Sequence, residues 1–156
     1  MSDILPIIGR GYCYEDLKVG FRFRTHRRTI AESDLANFIN LTWLTEELFA
    51  VAEKPGDHTS LAIRGRPVPG AMVYSFAEGL LLPTMQDTGL AFLNATIDIK
   101  GPTSVGDTIH VECEVLEARL TSKGDRGLVR FANRVLNQKG EALIEYNPLR
   151  MLKRKP

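Results

Sequence analysis

The sequence predicts an α+β fold in which one long antiparallel sheet wraps around a single buried helix. Residues 65–83 pass from a Pro/Gly loop into a helix that is apolar on nearly every face, and Pro83 is expected to end it. A helix of this kind has to be buried. Residues 90–152 then read as consecutive strands joined by short turns, which favours antiparallel pairing. The 156 residues, 44% of them hydrophobic, suit a single domain over residues 1–156.

The first third of the chain predicts a strand followed by two helices. Residues Phe21–Ile30 alternate between apolar and polar side chains, which is typical of a strand. Residues 31–34 resemble a helix start and precede an apolar face with helical spacing. A short second helix is expected over Thr45–Glu53, with Thr45 as its N-cap, before a loop at 54–60.

The last third predicts long strands. The expected strands cover four segments, namely Leu90–Lys100, Thr108–Leu120, Leu128–Asn137 and Glu141–Leu152. Since strands of about ten residues exceed the usual length, the sheet must curve or be shared with a partner. A sheet that wraps on one side leaves an exposed edge that needs covering, so we expect a homodimer or a larger homo-oligomer.

Composition excludes several classes of function. A net charge of +1 gives no reason to expect a nucleic-acid or membrane partner. Cys13 and Cys113 are too few and too far apart for a disulfide framework, and the three histidines lack metal-ligand spacing. The N-terminus lacks the features of a signal peptide, so a cytoplasmic location is expected. The basic run at 153–155 is expected to be a solvated end.

A helix wrapped in this way is the hot-dog architecture, and the chain also resembles the MaoC-like family of hydratases and dehydratases. Four stretches carry the resemblance, namely 16–20 with 28–34, 65–80, 102–108 and 135–141. The family acts on acyl-CoA or acyl-carrier-protein thioesters. The resemblance therefore implies a lyase of fatty-acid metabolism that forms dimers and needs no cofactor beyond the coenzyme A of its own substrate.

The catalytic dyad of the family's hydratases has no counterpart at the matching positions. Those enzymes carry an Asp and a His five residues apart in a segment similar to Gly-Asp-x-Asn-Pro-x-His. Matching it to residues 43–49 puts Leu44 at the Asp position and Phe49 at the His position. Neither side chain titrates, and loss of a general base costs roughly 10²–10⁴-fold in rate. A shifted register would bring Glu46 or Glu47 into the site; otherwise both lie on an exposed first helical turn.

The family's thioester-binding element survives in part. Its His-Gly-Met at the start of the buried helix is Pro69-Gly70-Ala71 here, so the histidine is absent but Gly70 and Ala71 still offer backbone donors. Such donors serve catalysis as well as simple binding. We expect the thioester carbonyl at Gly70 and the acyl chain along Leu44, Phe49 and the helix face that runs from Met72 to Phe76.

Two further residues are candidates for catalysis. Glu78 follows Gly70 by two helical turns, and some hot-dog thioesterases place a nucleophilic or basic glutamate similarly. Alternatively, Glu78 and Ser75 form a polar stripe that faces a subunit interface or solvent. His58 lies in a loop that could fold over the pocket and replace the missing base, or it is a plain surface histidine.

Three function classes remain open at this point. The first is a hydratase or dehydratase with an unusual base, the second a thioesterase that uses Glu78, and the third a non-catalytic thioester-binding protein or partner subunit. A basic cluster is expected either to bind the phosphates of coenzyme A or to form a solvated face; it contains Arg22, Arg24, Arg27 and Arg28.

Overall fold

The computed structural model describes Leu5 and residues 7–52 and 65–156. Within these residues the chain forms a 3₁₀ turn, three helices and ten strands. In chain order they are the turn Tyr14–Asp16, β1 Arg22–Arg24, β2 Arg28–Thr29, α1 Glu32–Thr42, α2 Glu47–Ala50, β3 Pro67–Val68, α3 Gly70–Met85, β4 Gly89–Asn94, β5 Ile97–Ile99, β6 Thr103–Ser104, β7 Thr108–Leu120, β8 Arg126–Leu136, β9 Ala142–Tyr146 and β10 Leu149–Lys153.

The strands form an antiparallel sheet against which α3 packs, as predicted. The main path through the sheet is β1-β7-β8-β10-β4, with β2 on β7, β9 on β8 and β5 on β9. Alternate residues of β7 from Ile109 to Val115 face inward and are buried, while His110, Glu112 and Glu114 face outward. The inward side chains pack on the buried face of α3, which consists of Met72, Val73, Ala77 and Leu81. The α+β hot-dog architecture is therefore confirmed.

The predicted strand over Phe21–Ile30 is interrupted. Its two ends form β1 and β2, and both pair with β7. Between them the Thr25 amide donates to the Val111 carbonyl, but the Val111 amide donates to the Thr25 hydroxyl at 3.0 Å instead of to a backbone oxygen. This side-chain acceptor replaces a ladder bond and breaks the strand, so His26 lies in the break rather than on a strand face.

Helix α3 differs from its prediction in length and in burial. It continues through Pro83 and ends at Met85. A proline at this position removes one intrahelical hydrogen bond, to Gly79, whose exposed backbone can bond water instead. The chain before the 3₁₀ turn then satisfies the helix end, because the amides of Gly11 and Tyr12 donate to the carbonyls of Gln86 and Thr84. The opposite face of α3 is exposed along Ala71, Ser75 and Leu82.

Helix α2 is one turn long and starts later than predicted. Glu46, not Thr45, is its N-cap, since the Glu46 carboxylate accepts from the amide of Leu48 at 2.8 Å. The helix ends at Ala50, so Val51 and Ala52 are not helical, although the prediction extended the helix to Glu53. Residue 53 lies outside the described residues.

Arg154 and Lys155 of the basic C-terminal run are exposed, as predicted, but the run is also ion-paired. Lys153 pairs with Asp87, while Arg154 and Lys155 pair with Glu15 and Asp16 of the 3₁₀ turn. The backbone amide of Lys155 and the Arg154 guanidinium lower the pKa of Glu15, and the Lys155 ammonium lowers the pKa of Asp16. Both carboxylates are therefore charged at neutral pH and hold the C-terminus against the start of the domain.

Candidate functional site

The start of α3 presents unpaired backbone donors. The amides of Met72 and Val73 both donate to the Pro69 carbonyl. In the described part of the chain no acceptor pairs with the amides of Gly70 and Ala71, which are the groups that a helix start leaves without internal partners. Gly70 is half-buried and Ala71 is exposed, so a ligand can reach this end of the helix.

Packing does not explain why residue 70 is a glycine. A Cβ atom there would lie 2.9 Å from the Cδ1 methyl of Ile99, the end of a side chain that is 59% exposed and free to turn away. By contrast, a Cβ at Gly11 would lie 2.4 Å from the carbonyl oxygen of Thr84, which cannot move without the helix. A side chain at residue 70 would therefore displace only the end of Ile99, and the packing of the described residues does not by itself require a glycine there.

Of the two residues that the sequence matching puts at the dyad positions, Phe49 is held close to the strand that runs into α3. Leu44 and Phe49 are both half-buried, and Phe49 packs against the main core. The Arg66 guanidinium donates to the Phe49 carbonyl at 3.0 Å and pairs with Glu32 of α1. Since Arg66 directly precedes β3, which runs into α3, this bond anchors α2 beside the approach to Gly70.

The other predicted site residues have different environments. Met72 is fully buried, so its side chain contributes to the core beneath the helix start. Glu47 is exposed on the first residue of α2, and Glu46 is exposed but engaged as the helix cap. His58 lies outside the described residues.

Glu78 belongs to a polar cluster that the sequence did not predict. Its Oε1 atom accepts from the Tyr146 hydroxyl at 2.8 Å and from the Arg150 guanidinium at 2.6 Å. Arg150 is only 5% exposed and also lies over the ring of Phe92. Burial, and then the Glu78 carboxylate, raise the pKa of Tyr146 far above its usual value, so the phenol remains a hydrogen-bond donor. Ser75, by contrast, donates to the Ala71 carbonyl of its own helix.

The arginine cluster is divided between two surfaces. Arg22 and Arg24 lie on β1 beside outward-facing acids of β7, and Arg22 pairs with Glu114 at 3.9 Å. Arg28 pairs with Asp34 at 2.9 Å and stacks over the ring of Phe76 on α3. The outer-face members thus belong to a surface of mixed charge, which favours the solvated-face interpretation for them.

Comparison with known proteins supports the fold. No protein-family model and no curated protein matches the sequence. Among solved structures, a MaoC-domain protein described as a putative dehydratase of Chloroflexus aurantiacus aligns with a TM-score of 0.84 at 23% identity, over 97% of this chain and 43% of that one. The fold is the hot-dog fold of the MaoC-like proteins. The R-hydratase of Pseudomonas aeruginosa aligns with a TM-score of 0.72 at 25% identity, over 92% of this chain and 86% of that one.

A longer hot-dog protein also aligns with this chain. It is a conserved hypothetical protein of Mycobacterium tuberculosis with a double hot-dog fold, and its TM-score is 0.77 at 18% identity. The alignment covers 97% of this chain and 46% of that one. The chain thus spans less than half of this protein and of the Chloroflexus protein.

The described residues contain neither a candidate metal site nor a helix that could span a membrane. Residues 7–52 and 65–156 contain no group of three or more His, Cys, Asp or Glu side chains placed to hold a metal ion. In the same part of the hot-dog domain, no helix is both long enough and apolar enough to cross a membrane.

Proposed function

We propose that this chain is a MaoC-like hydratase/dehydratase-type protein that binds acyl-CoA thioesters, enoyl-CoA thioesters among them, at the start of α3. The observation that carries the proposal is the pair of amides at Gly70 and Ala71, which have no acceptor among the described residues and lie at a helix start that is half-buried at Gly70 and exposed at Ala71. Amides at a helix start attract a carbonyl oxygen and stabilise the negative charge that develops on it.

Hydration of an enoyl thioester sets the requirements for catalysis. A base takes a proton from water, the oxygen of that water bonds to the β-carbon, and a proton is delivered to the α-carbon. The amides of Gly70 and Ala71 would stabilise the enolate oxygen formed between the two steps. With Leu44 and Phe49 at the dyad positions, the pocket suits an apolar acyl group, and the base must come from elsewhere.

Glu47 and His58 are the proposed substitute bases. Glu47 is preferred to Glu46 because the Glu46 carboxylate already accepts the helix-capping hydrogen bond from Leu48. A carboxylate acts as a general base only when it can reach the proton that it removes, and an exposed Glu47 side chain is free to reorient.

Thioester hydrolysis at Glu78 is the second candidate. Among the described residues, the two hydrogen bonds to Glu78 both end on Oε1, which leaves Oε2 of a carboxylate that is 23% exposed to act as base or nucleophile. The Arg150 guanidinium opposes this role, because it stabilises the carboxylate and lowers its nucleophilicity. A third candidate, a thioester-binding subunit without catalysis, needs neither glutamate.

Mass spectrometry of the pure protein with a panel of enoyl-CoA thioesters tests these functions. Gain of one water supports a hydratase, release of free coenzyme A supports a thioesterase, and tight binding without reaction supports a binding subunit. Failure to bind any thioester would contradict the proposal. Glu47→Gln and His58→Ala should reduce hydration, Glu78→Gln should reduce hydrolysis only, and Glu117→Gln, at an exposed glutamate of β7, is the matched control.

We also propose a homodimer, built through β4, in the cytoplasm. Among the described strands, β4 pairs with β10 alone, and it is exposed along its whole length, including Leu90, Phe92 and Leu93. The double hot-dog protein carries two such folds in one chain, and a second copy would supply the other fold here. The two unpaired, buried cysteines fit a reducing compartment.

A further inference from the structure

A small cavity lies between the C-terminal half of α3 and the sheet. Its wall includes Leu81 of α3, Cys113 of β7, Phe131 and Asn133 of β8, and Arg150 of β10. The space open to a water-sized sphere is about 10 Å³. This volume is close to the minimum that one water molecule needs, and it is too small for a larger ligand.

One wall of this cavity carries an unsatisfied polar group. Asn133 is 2% exposed, and its Oδ1 atom is buried without a hydrogen-bond partner among the described residues. The residue lies between Cys113 and Tyr146 in the sheet register, so all three side chains face α3. Buried amide oxygens in native proteins are almost always bonded to protein or to ordered water. The Oδ1 atom therefore requires a donor that the described residues do not supply.

The charges around the cavity select a neutral ligand. Arg150 also lines the cavity, but its guanidinium is already paired with Glu78 at 2.6 Å. An added cation or anion would therefore lack a counter-charge, and nothing would offset the free energy of removing it from water. Water can donate to Asn133 and accept from Arg150, and it satisfies the amide whichever end of Asn133 faces the cavity.

We propose that this cavity holds one ordered water molecule, bonded to the side chains of Asn133 and Arg150. The water links Arg150 to Asn133, whose side chain also contacts the Tyr146 phenol, so that a continuous polar chain connects Asn133, Arg150, Glu78 and Tyr146. That chain ties α3 to strands β8, β9 and β10. It fixes Arg150 from two sides and keeps the Glu78 carboxylate in place on the helix.

A high-resolution crystal structure of the protein tests the proposal. Density for one water is expected in the cavity, roughly 2.7–3.2 Å from the Asn133 amide and from an Arg150 nitrogen. Asn133→Leu, which removes the amide and fills the space, should abolish that density. Thr88→Val is the matched control, because the Thr88 hydroxyl is also buried and unpartnered but does not line the cavity, and this variant should keep the water.

Two results would overturn the proposal. The first is an empty cavity in the wild-type density with Asn133 unmoved, and the second is an Asn133 side chain that turns to bond another protein group. NMR supplies an independent check that needs no variant, since a buried water should give a cross-relaxation signal to the Asn133 side-chain amide protons. Absence of that signal in the folded protein would also contradict the proposal.

Discussion

At the scale of single residues, burial controls the chemistry of Cys113. Its side chain is 3% exposed, and desolvation raises the pKa of the thiol from 9.0 to about 12. The thiolate is the reactive form of cysteine, so the native thiol should react with a disulfide reagent about a thousandfold more slowly at pH 8 than in urea. The reaction rate of a Cys13→Ser variant, in which Cys113 is the remaining thiol, measures this directly.

The same pKa shift predicts a loss of stability in alkali. Since the folded pKa of Cys113 exceeds the unfolded value, its contribution is fully present below pH 9 and declines as the pH rises from 9 towards 12. Urea unfolding over that range should show the decline in wild type and a smaller decline in Cys113→Ala. Equal slopes in the two proteins would contradict the assignment to this thiol.

The sequence identified Glu78 as an unusual residue but not its partners. A carboxylate in an apolar helix requires compensation, and this could be argued from the sequence alone. Tyr146 and Arg150 lie 68 and 72 positions away, and alternation along a strand indicates which face a residue occupies, not which residue it meets across the sheet. The one available signal was the charge of Arg150 within the apolar stretch 149–152.

At the scale of elements, α3 was predictable from its long apolar run after a Pro/Gly loop, and β7 from the alternation of apolar and polar side chains. The interrupted strand near residue 25 was not, because its break depends on the Thr25 hydroxyl bonding Val111 some eighty residues later. Helix α2 was overestimated because the Glu46 side chain competes successfully with Thr45 for the cap. A contact with a distant strand decided the first difference, and a local side-chain cap decided the second.

The two glycines of α3 provide a matched test of the helix start. Gly70→Ala should fold with little loss of stability, since only the flexible end of Ile99 lies close. It should weaken thioester binding or turnover, because the added methyl occupies the space beside the free amides. Gly79→Ala has no neighbour within 4 Å and should stabilise the helix by about 0.5–1 kcal/mol without affecting binding.

Urea unfolding and titration with an acyl-CoA thioester measure both effects of these glycine variants. Gly11→Ala is the contrasting variant, because its Cβ would collide with the Thr84 backbone, and we expect a loss of about 1–3 kcal/mol. If Gly70→Ala binds thioesters as well as wild type does, the ligand carbonyl is not held at this helix start.

At the scale of the whole molecule, the hot-dog sheet could be predicted from the sequence, but its exposed parts could not. The alternation of the long strands indicated curvature or a shared sheet. It did not reveal that β4 is an edge whose six residues are all exposed, or that one face of α3 is uncovered in the single chain. Both surfaces result from the order of the strands in the sheet. That order is set by pairing between strands that are distant in the sequence.

The exposed β4 edge predicts the assembly and a way to disrupt it. In an antiparallel dimer built across β4, the same strand of each copy lies beside the other, so a lysine at Leu93 would bring two like charges together. Leu93→Lys should therefore raise the dimer dissociation constant at least about tenfold, or about 1.4 kcal/mol, in sedimentation equilibrium. Leu116→Lys is the control, since Leu93 and Leu116 are both 44% exposed but Leu116 lies on β7 in the interior of the sheet. If Leu116→Lys dissociates the dimer and Leu93→Lys does not, the dimer interface lies on the outer face of the sheet and not at β4.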